Sequence, residues 1–167
     1  MTKTDENLKA AFAGESQANR KYTSFAERAD RDGFKQVAKL FRAAAFAEEL
    51  HAKRHLNMMK GVKSTAENLK AAIEGETYEN RQMYVGFQKD ATAEGNKAAA
   101  FNFEETGKVE KVHEDLYKAA LKSVEEGKKL EERPFWVCQS CGNTVEGDPP
   151  ERCPICGAAK SMFKRID

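Results

Sequence analysis

The chain has 167 residues, with 28 Lys and Arg against 27 Asp and Glu, and its net charge of +1 marks neither a nucleic-acid partner nor an acidic one. Its opening, Met1-Thr2-Lys3-Thr4-Asp5-Glu6, has no apolar leader core, and no apolar run approaches the ~18 to 20 residues of a membrane span, so a cytoplasmic protein is the expectation. All four cysteines lie in the last thirty residues as two C-x-x-C pairs, which in a reducing compartment suits a metal better than disulfides.

Thr4 is the expected N-cap of a first helix running to about Asp32, with Leu8, Ala11, Phe12, Glu15, Tyr22, Phe25 and Ala29 on one face and Gly33 ending it. A second helix is predicted from about Phe34 to Lys60, closed by Gly61. Ser64-Thr65-Ala66-Glu67 has capping-box spacing and starts a third, which runs to about Glu94 and stops at Gly95. The fourth runs from about Lys97 to Glu126, with Gly127 behind it. Four long helices with very short links predict an all-α four-helix bundle over residues 1–127. Residues 128–134 are polar, end at Pro134 and read as a linker.

The third segment, residues 135–167, is shorter than the ~40 residues usually needed to fold unaided, so a metal is expected to supply folding energy. Cys138, Cys141, Cys153 and Cys156 form two knuckles, each with a glycine after its second Cys. A four-thiolate set leaves zinc and iron both open.

The helical part repeats itself. Leu8 to Arg20 matches Leu69 to Arg81, with Glu15 aligned to Glu76, and each half carries a Glu-x-x-His unit, Glu48 with His51 and Glu110 with His113. Glu and His three apart stand one above the other on a helix face. Both units fall on the stripe that should be apolar: Val37, Leu40, Ala44, Glu48, His51 and Met58 in one, Ala99, Phe103, Thr106, Glu110, His113 and Tyr117 in the other. An inward carboxylate costs several kcal/mol unless it is protonated, paired or metal-bound. Two copies on two inward faces favour metal, and four carboxylates with two imidazoles suit two ions of iron or manganese. The repeat departs from itself at Ala18, which corresponds to Glu79, a seventh carboxylate one turn beyond Glu76. Tyr22 and Tyr84 lie about two turns beyond Glu15 and Glu76, placed either to hydrogen-bond the carboxylates or to fill core. His55 lacks a Glu three before it and reads as an outer or solvent-facing residue.

These residues together, Gly14-Glu15 with Tyr22, Glu48-x-x-His51, Gly75-Glu76-x-x-Glu79 with Tyr84, Glu110-x-x-His113 and the paired C-x-x-C-G knuckles, resemble the rubrerythrin family over nearly the whole length. The eleven-residue spacer between knuckles is shorter than in free rubredoxins and looks like that of rubrerythrins. The resemblance implies a ferritin-like di-iron bundle followed by a rubredoxin-like domain. It implies a non-haem peroxidase that reduces hydrogen peroxide to water in oxidative-stress defence. Two carboxylate-bridged irons would be held by Glu15, Glu48, His51, Glu76, Glu79, Glu110 and His113, with Glu79, His51, Tyr22 and Tyr84 in catalytic roles. His51 and Glu79 would exchange as ligands of one iron when the oxidation state changes. A further iron on the four cysteines would relay electrons from NAD(P)H through a separate reductase or rubredoxin. The competing readings are an iron oxidase or oxygen-reducing di-iron protein, and a storage protein with a structural zinc ribbon.

Chain reach adds an expectation about assembly. If helices two and three run parallel, the crossover from the Glu48 level to the Glu76 level covers roughly 36 Å at about 1.5 Å per helical residue. Gly61 to Ser64 spans only ~14 Å at full extension. A homodimer that exchanges helix pairs resolves this, and a single-chain up-down-up-down bundle is the alternative.

Overall fold

The structure, a computed structural model, describes residues 2–167. It divides into two compact units, Met1–Lys63 and Ser64–Asp167. No helix of the described residues is long and apolar enough to cross a membrane.

The first unit is a helical hairpin of α1 (Lys3–Arg31) and α2 (Lys35–Met58). The N-cap of α1 is Thr2 rather than Thr4. Thr2 Oγ1 accepts from the Asp5 amide at 3.2 Å while Asp5 Oδ2 accepts from the Thr2 amide at 2.8 Å, a reciprocal pair that puts an acidic side chain at the positive end of the helix. Gly33, at φ 84°, makes the turn between the helices. At the end of α2 the left-handed residue is Lys60, at φ 53°, and Gly61 serves another purpose: a Cβ there would lie 2.3 Å from Leu56 Cδ1. Small residues, Ala26, Ala29, Ala38, Ala45 and Ala52, are buried where the two helices meet, which lets their backbones approach closely.

The second unit begins at the predicted capping box of Ser64 and Glu67. The expected third helix is α3 (Thr65–Tyr78), a single π turn (Glu79–Met83) and α4 (Tyr84–Ala93). It packs against α5 (Lys97–Glu125), which Asn96 caps through the Ala99 amide. The duplication is visible in the aromatic packing. Phe25 and Phe41 have ring centroids 5.5 Å apart, as do Phe87 and Phe103, and Tyr22 and Tyr84 each stand 6.2 Å from the first Phe of their trio.

Beyond α5, strands β1 (Phe135–Cys138), β2 (Thr144–Glu146) and β3 (Phe163–Ile166) form an antiparallel sheet in the order β2-β1-β3. Its core is Cys138, Cys153 and Phe163, with Trp136, Val145 and Ile155 packed around them. Two cysteines thus sit at the centre of a core with few large apolar side chains, consistent with a bound metal contributing to folding.

Candidate metal centres

Glu15, from α1, and Glu48 and His51, from α2, bring ligand atoms within 4.8 Å of one another. His51 Nδ1 lies 2.8 Å from Glu48 Oε2, and the histidine side chain is 49% exposed, so this face is open. In the second unit Glu76, Glu110 and His113 form the matching group, again within 4.8 Å, with His113 Nδ1 2.8 Å from Glu110 Oε2 and 3.9 Å from Glu76 Oε1. Each group gathers one Glu from one helix and the Glu-x-x-His pair from the other.

The second group shows most directly what it is built to hold. Burial, a hydrogen bond to Glu110 and the charge of Glu110 push Glu76 up to about 7. The hydrogen bond to Glu110 also raises His113 against the opposing effect of burial. Thr144 Oγ1 donates to the Gly142 carbonyl at 3.2 Å and therefore accepts from His113 Nε2–H at 3.0 Å. That contact fixes the ring so that Nδ1 faces the carboxylates. Two carboxylates and an imidazole thus converge on a space that either protons or a cation can satisfy. A metal there displaces the protons, so its affinity rises with pH through the range in which Glu76 titrates.

Glu79 lies in the π turn, partly buried and outside the tight group, with its carboxyl raised by burial and by Glu110. Tyr84 stands in the field of the same residues: burial, then the charges of Glu110, Glu79 and Glu76, push its hydroxyl up. Tyr22 packs with Phe25 and Phe41. His55 is partly buried rather than solvent-facing, and its Nδ1 is enclosed with no hydrogen-bond partner among the described residues.

Three features escape a reading of side-chain types alone: Thr144 behind His113, the π turn, and Glu114. The last is fully buried and held at about 2 by Lys118, Asn80 and Arg81 against the cost of burial. One signal was present in the repeat itself. Glu15 matches Glu76 at an offset of 61, whereas Tyr22 matches Tyr84, and His51 matches His113, at 62. One residue is inserted between Arg81 and Tyr84, where the π turn lies.

In the C-terminal segment the sulfurs of Cys138 and Cys156 are 3.7 Å apart and those of Cys141 and Cys153 3.6 Å. A tetrahedral ion with metal–sulfur bonds of about 2.3 Å requires sulfur separations of about 3.8 Å, so these two pairs already have the spacing of such a site, and all four sulfurs lie within 4.8 Å of one another. Gly142 (φ 85°) and Gly157 (φ 74°) turn the two knuckles, and their amides bond back to the Cys138 and Cys153 carbonyls at 2.8 and 2.9 Å. Burial pushes the Cys141 thiol up, so the set becomes fully thiolate only with a cation.

Residues 6–121 match the family model described as rubrerythrin, and residues 136–164 that described as the rubrerythrin rubredoxin-like domain. The chain belongs to the rubrerythrin family. The rubrerythrin of Porphyromonas gingivalis is 38% identical over 98% of this chain and 90% of its own length. Nigerythrin of Nitratidesulfovibrio vulgaris is 35% identical over 96% of this chain and 85% of its own. Among solved structures, the mixed-valent state of nigerythrin aligns with a TM-score of 0.58 over 99% of this chain and 88% of that one, at 35% identity. Rubrerythrin membership gives the fold class, a ferritin-like helical bundle with a small rubredoxin-like four-cysteine domain, and gives iron as the metal of both kinds of site. It makes the chain a di-iron oxidoreductase of oxidative stress that draws on an electron donor.

Proposed function

We propose that this chain is a non-haem peroxidase that reduces hydrogen peroxide to two waters with two electrons and two protons. In this reading residues 1–127 carry the di-iron helices, 128–134 link them, and 135–167 carry an iron on Cys138, Cys141, Cys153 and Cys156 that relays electrons. The ultimate donor is NAD(P)H, acting in the cytoplasm through a separate reductase or rubredoxin. The di-iron pair supplies the redox chemistry at the peroxide O–O bond.

The observation that carries the reading is Thr144. It belongs to the four-cysteine segment, three residues beyond Cys141, yet its hydroxyl holds the His113 ring. A zinc ribbon with a purely structural role has no reason to touch a ligand of the other centre, whereas a relay does. The chain's own groups supply the rest. Glu79 and Tyr84, both shifted toward their protonated forms, hold protons beside the group where peroxide oxygen would leave as water. Glu79 and His51 would be alternative ligands of one iron, and Tyr22 and Tyr84 would steady the carboxylates.

The two half-sites belong to different compact units, and we assign the complete centre to two copies of the chain. Glu15, Glu48 and His51 of one copy meet Glu76, Glu79, Glu110 and His113 of the other. In support, α2 exposes large apolar side chains, Leu40 at 68% and Met58 at 69% among them, together with Phe46. Covering each contributes on the order of 1.5 to 3 kcal/mol.

Rapid mixing of the reduced, iron-loaded protein with each oxidant tests the activity. Hydrogen peroxide should oxidise it much faster than dioxygen does. Equal or faster reaction with dioxygen would make the protein an oxidase.

A further inference from the structure

The second half of the repeat differs from the first by more than Glu79. Through Arg20 and Arg81 the halves align at an offset of 61, and from Tyr22 and Tyr84 onward at 62. In a continuous α-helix one inserted residue would rotate the residues before it by about 100° against those after it. A π turn absorbs the insertion locally, and here it spans Glu79–Met83, with the Tyr84 amide bonded to the Glu79 carbonyl. The corresponding part of α1 is regular α-helix.

A second difference sits opposite this turn. The residue after the histidine is Ala52 in the first half and Glu114 in the second, again at an offset of 62. Glu114 is 0% exposed. Its Oε2 accepts from Asn80 Nδ2 at 2.7 Å, its Oε1 accepts from Arg81 Nη2 at 3.1 Å, and Lys118, one turn further along α5, also donates to Oε1. Asn80 and Arg81 are the second and third residues of the π turn.

The equivalent asparagine of the first half does something else. Asn19 Nδ2 crosses to the Ala45 carbonyl of α2 at 2.8 Å, whereas Asn80 Nδ2 stays with its own helix, at the Glu76 carbonyl, and with Glu114. The position matching Ala45 is Gly107, where a Cβ would lie 3.2 Å from Tyr84 Cβ. The turn thus carries Tyr84 close to α5, and α5 gives way with a glycine. Four departures from the repeat, the inserted residue, the altered Asn, Glu114 and Gly107, fall together in space.

We infer that Glu114 is a positioning residue that clamps the π turn through Asn80 and Arg81 and thereby sets Glu79 beside Glu76 and Glu110. A bulge in a helix is held only where its surroundings favour it over the regular ladder. A buried carboxylate that finds two of its partners within the turn is such a surrounding. The importance of Glu79 to turnover rests on the proposed function, but the clamp does not, and the test reads the clamp alone.

That test is amide hydrogen exchange on the metal-free full chain. In Glu114→Ala the amides of residues 80–84 should exchange about tenfold faster or more, while those of residues 19–23 in α1 stay as they were. Glu114→Gln, which keeps an acceptor for Arg81, should fall between. No change at residues 80–84, or equal acceleration over all of 65–125, would overturn the assignment. A second background covers the case in which Glu114→Ala does not fold. Deleting Gln82 restores a single offset in the repeat and removes the residue that the π turn absorbs. In the deleted chain Glu114→Ala should leave the melting temperature unchanged or raise it, as expected for a site resembling Ala52. A fall in melting temperature there, or a failure to fold, would show that Glu114 supports α5 irrespective of the turn, and would also overturn the assignment.

Discussion

Glu48→Ala and Glu110→Ala chains, each inactive alone, should regain peroxidase activity when unfolded, mixed and refolded together with iron. Each substitution removes a carboxylate from a different compact unit. If the centre is built from two copies, every homodimer of either variant carries one damaged half in both of its sites. A heterodimer carries one site with both halves damaged and one with both intact. Random pairing of equal amounts makes half the dimers mixed, so recovery should reach about a quarter of the parent activity. Iron content should recover in parallel, since the intact site regains its full ligand set. If each chain instead completes its own site, a confirmed heterodimer remains as inactive as its parents.

The second large effect concerns the electron path. Replacing Cys138 or Cys156 by Ser should abolish steady-state reduction of peroxide by NAD(P)H and its reductase. The same protein, reduced chemically, should still react with peroxide once per di-iron centre. The two cysteines lie on different knuckles and are 3.7 Å apart, so either loss removes a thiolate from one tetrahedron. Cys138 and Cys153 share the core of this segment with Phe163 and Trp136, so a lost metal would also weaken the fold. Near-ultraviolet circular dichroism should therefore accompany the assay, to separate a lost electron from a lost domain. Full NAD(P)H-linked turnover in a variant lacking its four-cysteine iron would exclude the relay.

Much of this was legible in the sequence, for identifiable reasons. Long helices with 3.6-residue periodicity and glycines at their ends leave strong local signals, and Gly33, Gly95 and Gly127 all adopt the positive φ expected of such ends. Gly61 was the exception, because its lack of a side chain makes room for Leu56 while Lys60 takes the strained backbone. The Glu-x-x-His pairs and the knuckles were equally plain, since close sequence spacing is already close spacing in space. Contacts between distant segments were not visible. Thr144 is an ordinary strand residue until β2 is set against His113, and Glu114 reads as one more helical charge until its burial is seen. The π turn lay between these extremes. A change of a single residue in the repeat's offset announced it, but an offset has structural meaning only when both halves are known to fold alike.

In the proposed cycle the two kinds of iron centre act in one electron path that ends on peroxide. Anaerobic titration of the fully reduced, iron-loaded protein with hydrogen peroxide, followed at the visible band of the four-cysteine iron, tests it most directly. Three ferrous ions per chain hold three electrons, so the end point should fall at about 1.5 peroxides per chain, with the thiolate-to-iron band fully restored. An end point at about one peroxide per chain, with the four-cysteine iron still reduced and colourless, would contradict it.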